Sequence, residues 1–154
     1  MEFGEPHLQV DQVKEKRLRI EGAPERALGR VTRFGGSWHL WVYCCDWRLE
    51  LDGVGLAHTE SDETTVNRAL GFLDGQKLRE VRINPSNAAT TFTFDLGCTL
   101  STRPAPPGTY EDRPTEQWFL SERDGDVLTV REDGAFTHGP GSAKSADEIW
   151  RPLG

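Results

Sequence analysis

Thiol and imidazole groups crowd one stretch of this chain: Cys44 and Cys45 are adjacent, with His39 just before them and His58 after. Zinc takes such ligands in tetrahedral sets. Consecutive strand residues point to opposite faces, so at most one of the two cysteines could join His39, and there is no Cys-x-x-Cys pair. The spacing therefore predicts buried thiols acting as small apolar residues. Cys45 with His58 has the atom types of a nucleophile and its base, but no local signature selects the pair. A Gly-x-Ser-x-Gly elbow, a Gly-rich phosphate loop and a dinucleotide fingerprint are all absent. Asp124-Gly125-Asp126 followed by Glu132-Asp133 offers oxygen ligands of the kind calcium prefers. In an EF-hand register, however, Leu128 and Thr129 would fill the fifth and sixth places, and hairpin turns explain both acidic pairs better. No catalytic residue, metal site or cofactor is expected.

What remains is recognition chemistry. Residues 37–51 are rich in aromatic and β-favouring types, with a second strand carrying Trp47, Leu49 and Leu51 after Asp46; His39, Trp41, Tyr43 and Cys45 share one parity of the first strand and could line a pocket or a contact surface. Residues 104–117 carry Pro104, Pro106, Pro107, Gly108 and Pro114, which excludes regular structure and predicts an extended loop suited to recognition. On it, Tyr110 is an anchor of low entropic cost, and Glu111, Asp112 and Glu116 suit a basic partner.

These groups are positioned by β-structure. Cys45, Trp47, Leu49 and Asp52-Gly53 are echoed by Cys98, Trp118, Leu120 and Asp124-Gly125, and each Asp-Gly between alternating apolar residues signals a hairpin. Trp47 and Trp118 should be equivalent core anchors. Phe92, Phe94, Leu96, Cys98 and Leu100 alternate with Thr91, Thr93, Asp95 and Thr99, which predicts one core-facing strand bent at Gly97. A helix is signalled over 62–73, capped by Ser61 or Asp62, with Val66, Ala69, Leu70 and Leu73 as its apolar stripe. The expected fold is a single mainly β domain with one helix, an antiparallel barrel or two-sheet sandwich. Residues 28–60 form a first unit, 61–74 the connecting helix and 75–138 a second unit, while 139–154 form a flexible tail in which Ile149-Trp150 anchors.

The 154 residues suffice for one core, and the net charge is −7. Residues 1–35 hold seven basic against six acidic side chains, 36–110 six against nine, and 111–154 five against ten. An acidic surface favours a basic protein partner and disfavours nucleic acid, for which the run Lys14, Lys16, Arg17, Arg19 is the sole support. The start Met1-Glu2-Phe3-Gly4-Glu5-Pro6 lacks a leader pattern, no apolar run would span a bilayer, and three cysteines do not make a disulfide framework. A cytoplasmic protein without membrane contact is expected.

Trp38-His-Leu-Trp-Val-Tyr-Cys-Cys-Asp-Trp-Arg-Leu49, Gln76-Lys-Leu-Arg-Glu-Val-Arg-Ile83, Phe94-Asp-Leu-Gly97 and Glu116-Gln-Trp-Phe-Leu120 resemble a group of small actinobacterial β-rich proteins with a repeated Trp-Arg-Leu motif. The likeness covers residues 28–130. It departs from the group's pattern at His39-Leu40, where the order is reversed, and at Phe119, where Arg is usual. The resemblance implies structural positions and no reaction, and by analogy an immunity-protein-like role beside a toxin. The expected function is a non-enzymatic protein-binding module. The alternative is a small-molecule carrier or enzyme using a barrel interior lined by His39, Trp41, Tyr43 and Cys45.

Overall fold

Alternating burial builds this molecule. On β10 (Thr90–Phe94) and β11 (Cys98–Pro104), Thr90, Phe92, Phe94, Cys98, Leu100 and Thr102 are buried, while Thr91, Thr93, Thr99 and Ser101 are half-buried on the opposite face. The two strands pair antiparallel, Phe92 opposite Leu100. The single bent strand expected over 92–100 is thus a hairpin, and Leu96 at its turn is 66% exposed. Gly97 sits at φ +92°, where a Cβ would collide with the Asp52 carboxylate, so the reversal requires glycine.

The computed structural model describes residues 1–3, 7–10, 14–17, 26–29, 32–110, 114–123, 125–142 and 148–154. In chain order the remaining elements are β1 (Glu2–Phe3), β2 (His7–Val10), β3 (Lys14–Arg17), β4 (Arg26–Gly29), β5 (Thr32–Gly35), β6 (Trp38–Val42), β7 (Cys45–Leu51), β8 (Val54–His58), α1 (Glu63–Leu73), β9 (Leu78–Ile83), β12 (Glu116–Glu122), β13 (Asp126–Arg131), β14 (Ala135–Pro140) and β15 (Arg151–Pro152). One antiparallel sheet has the order β1-β6-β12-β13-β14-β15 and the other β8-β7-β11-β10-β9. They face each other as a sandwich, with no closed barrel. The expected first and second units do not correspond to the sheets, because each unit contributes strands to both. In addition β2 pairs with β5, and β3 with β4, as two-stranded sheets.

The core takes Leu40, Trp118 and Val130 from the first sheet and Leu49, Ala57, Phe92, Phe94, Cys98 and Leu100 from the second. Trp118 is fully buried between them. Its ring meets Phe92 edge-on at 5.1 Å and its Nε1–H donates to Thr90 Oγ1 at 2.9 Å. Trp47 differs: it is only partly buried, and its backbone N–H donates to Thr59 Oγ1 at 2.7 Å. The two indoles in matching sequence positions therefore stand in different environments.

The helix forms where the sequence places it. The Asp62 carboxylate accepts from Thr65 N at 3.0 Å and Thr65 Oγ1 at 2.7 Å, which holds its pKa below the ordinary range. Ala69 and Leu73 enter the core. Beyond the helix, buried Gln76 donates from Nε2 to Phe72 O at 2.7 Å and accepts at Oε1 from the N–H groups of Leu96 and Cys98, both at 3.3 Å. Helix end and hairpin turn are joined by one side chain. Asp52-Gly53 turns β7 into β8 with φ of +50° and +78°, the backbone a two-residue hairpin demands.

The inter-sheet bond gives a direct test. Thr90→Val removes the acceptor while keeping the shape, and leaving the buried indole N–H unpaired should cost about 1–3 kcal/mol in denaturant unfolding. Thr90→Ser should retain most of the wild-type stability; equal losses in both variants would show that the hydrogen bond contributes nothing.

Candidate functional site

On β6, Leu40 and Val42 face the core, so His39 and Trp41 face outward. Tyr43 extends the same side, with its N–H donating to Gln117 O at 2.8 Å. At Tyr43-Cys44 the chain turns from one sheet to the other, and Cys45 enters β7 as a core residue, 2% exposed. This corner resets the alternation and overturns the expected four-residue pocket. Cys45 is buried, whereas Trp41 is 50% and Tyr43 60% exposed. They line no common interior.

What the structure assembles instead is an aromatic face on the outside of the first sheet. The His39 and Trp41 rings stack at 5.1 Å and 19°, and Trp41 stacks on Phe119 at 5.8 Å and 18°. Sheet register fixes this ladder, since Phe119 lies opposite Trp41 and Ser121 opposite His39. Tyr110, from the Pro-rich loop, stands at the same corner: desolvation, then Cys44, Cys45, Asp46 and Tyr43, push its phenol pKa up. Glu116 opens β12 opposite Arg131, whose guanidinium is held by Asp133 at 2.5 Å and stacks over Trp150 at 4.2 Å. Trp150 thus anchors the C-terminal segment as expected, but Ile149 does not, being 70% exposed. Glu111 and Asp112 lie outside the described residues. In the sequence Phe119 stands out only as the place where the resembled group has Arg, and its alternation with Trp118 and Leu120 is the signal that assigns it to the outer face.

A second feature was likewise not foreseen. A groove of about 900 Å³ runs over the second sheet and the β8–α1 connection, lined by Arg48, His58, Ser61, Thr91, Ser101 and Arg103 among others. Register places His58, Arg48, Ser101 and Thr91 in one cross-strand row. Arg48 pairs with Glu50 at 2.7 Å and Arg103 with Asp46 at 3.1 Å, so each guanidinium already has a carboxylate on one side. Such a wall offers donors and acceptors in balance, suited to a polar uncharged or zwitterionic ligand.

Cys45 and Cys98 are the buried thiols that the spacing implies, whereas Cys44, at the corner, is only half-buried. Burial, then the Asp46 and Cys44 charges, push the Cys45 thiol up to about 12, and burial also raises Cys98. Among the described residues no His, Cys, Asp and Glu come together as a metal-binding group. No helix among them is long and apolar enough to cross a membrane.

Because the folded state holds the Cys45 proton more tightly than the unfolded chain, the unfolded chain alone ionises as pH rises above 9 toward 12, and stability falls across that window. Urea unfolding at stepped pH should show this slope reduced in Cys45→Ala; an unchanged slope would place its origin elsewhere. Comparison with protein-family models, curated proteins and solved structures finds no match to this chain.

Proposed function

We propose that this protein is a non-enzymatic binding module that recognises another protein through the outer aromatic face of its first sheet. The stacked His39–Trp41–Phe119 ladder carries the reading, with Tyr43 following Trp41 on the same side and Tyr110 likewise exposed. Large rings left half in water forgo the gain of burial, and clusters of them on a rigid sheet are what protein interfaces use as anchors. Their mutual stacking holds the rotamers before contact, which lowers the entropic cost of association. The net charge of −7 favours a partner with a basic surface. An immunity-type protein, neutralising a toxin by covering it, is one instance of this reading and needs no catalytic group.

A small-molecule site is the second reading, favoured by the groove over the second sheet, whose volume of about 900 Å³ lies within the range of ligand pockets. It relocates the alternative function from a barrel interior to an open sheet surface. Trp47 lines this groove, so a ligand there should change indole fluorescence and raise Tm.

Immobilised protein should retain its partner from a cell extract, and Trp41→Ala combined with Phe119→Ala should weaken retention at least about tenfold, since anchor aromatics are each worth about 2 kcal/mol or more. Near-UV circular dichroism checks that the sandwich persists in the variant. Undiminished retention would remove the aromatic face from the interface. A thermal shift with a metabolite, lost on Arg48→Ala, would favour the groove instead.

A further inference from the structure

The end strand of a sheet presents unpaired N–H and C=O groups, and natural chains shorten, bend or cover such edges. β1 and β15 end the first sheet with two residues each, Pro152 lying in the latter. β8, at one end of the second sheet, has a register shift in its pairing with β7 and α1 packed against it. β9, at the other end, spans six residues and is irregular only near its start at Leu78. Among the described residues nothing pairs with its outer side.

Register tells which of its groups are free. The Asn84 N–H donates to Ala89 O at 2.8 Å, continuing the ladder in which Ile83 lies opposite Thr90 and Arg82 opposite Thr91. Backbone groups alternate in direction along a strand, so Arg82 and Glu80 turn theirs toward β10, whereas Val81 and Ile83 turn theirs outward. The side chains of Val81 and Ile83 pack against the core. Those of Glu80 and Arg82 are exposed on the other face, where they pair at 2.8 Å.

A second copy fits this edge in one register. Antiparallel pairing about a two-fold axis must set outward-turned residues opposite each other, so near the middle of the strand the axis passes through Glu80, Val81 or Arg82. An axis at Glu80 opposes that carboxylate with itself, and an axis at Arg82 does the same with two guanidinium groups. At Val81, each Glu80 faces the Arg82 of the other copy, in the pair geometry where side chains come closest, and Val81 meets Val81 on the core side. The order Glu80-Val81-Arg82 is thus complementary to itself, a match that a foreign strand has no reason to share.

We propose that two copies of this chain join by antiparallel pairing of β9 about Val81, which continues the second sheet of one copy into that of the other. The aromatic face belongs to the first sheet and stays open for a different protein.

Sedimentation of the full chain at stepped concentrations tests it. The wild type should show a monomer–dimer equilibrium, and the amide protons of Val81 and Ile83 should exchange more slowly as the dimer fills. Val81→Pro removes an outward N–H without breaking a bond to β10 and should give a monomer. Glu80→Arg and Arg82→Glu each set like charges opposite one another in both pairs, and each should raise the dissociation constant about tenfold. Combined in one chain they recover the match and should recover the dimer, and the two single variants mixed should pair with each other in preference to themselves. Unchanged near-UV circular dichroism confirms that each variant keeps its core. A wild type that stays monomeric up to about 1 mM overturns the proposal. A dimer indifferent to Val81→Pro and to both charge variants does the same. So does loss of the dimer in Trp41→Ala with Phe119→Ala, which would move the contact to the aromatic face. Protection of Val81 and Ile83 that arises only when a cell extract is added, the chain alone being monomeric, also overturns it and gives the edge to a foreign strand.

Discussion

An indole N–H placed where water cannot reach it must find an acceptor, and the way Trp118 does so organises the sandwich. Its partner, Thr90 Oγ1, belongs to the opposite sheet, so one polar bond sets how the two layers are aligned where apolar contact alone would let them slide. The thread continues. Thr90 Oγ1 donates to Ala88 O at 3.3 Å, and the same carbonyl accepts from Gln117 Nε2 at 3.2 Å. Ala88 is fully buried with φ +53°, a conformation that costs a residue with a side chain about 1–2 kcal/mol. The hydrogen bonds converging on its carbonyl hold the β9–β10 corner in that state. This end of the core also contains Thr102 Oγ1 and Gln117 Oε1, both buried without a protein partner. At the other end, around Cys98 and Leu73, a second buried side chain, Gln76, supplies the directional contacts, tying the helix end to the β10–β11 turn.

Once Trp118 and Leu40 point inward, the alternation of β12 and β6 sends Phe119 and Trp41 outward. Most outer positions of a sandwich are filled by polar residues, as Thr91, Thr93, Thr99 and Ser101 do on the second sheet. The first sheet departs from that pattern on its neighbouring strands β6 and β12, where a ring-on-ring ladder occupies the wet side. Packing does not require those rings. Their presence on the strands most firmly tied to the core gives a rigid platform, which is the property recognition needs and folding does not.

Local signals were legible and long-range ones were not. The Asp52-Gly53 hairpin and the Asp62 cap each follow from a few adjacent residues whose backbone demands are unambiguous. Gly97 was ambiguous, since a positive φ serves a bulge as well as a reversal, and the choice is made by Asp52 and Gln76, which lie far away in sequence. The corner at Tyr43-Cys44 contains neither Gly nor Pro, so nothing local announces that Cys45 leaves the parity of Trp41. The Trp47 and Trp118 motifs match in sequence, with Asp124 of the second lying outside the described residues, but burial depends on strand neighbours: β7 lies next to the edge strand β8, whereas β12 lies between β6 and β13.

Perturbed ionisation helps to choose between chemistry and contact. A nucleophile or base at neutral pH needs a thiol or phenol whose pKa falls. Here burial moves Cys45, Cys98 and Tyr110 the other way, toward inert protonated forms. The lowered carboxylates, Asp62 and Asp133, are bound into a helix cap and a hairpin turn, where ionisation serves backbone geometry. Groups whose charge state is fixed by folding in this way are poorly placed to exchange protons with a substrate, whereas uncharged aromatic surface and balanced ion pairs lose little on meeting another protein. These five shifts thus report how folding holds each group, and the proposed binding role rests on the outer aromatic face.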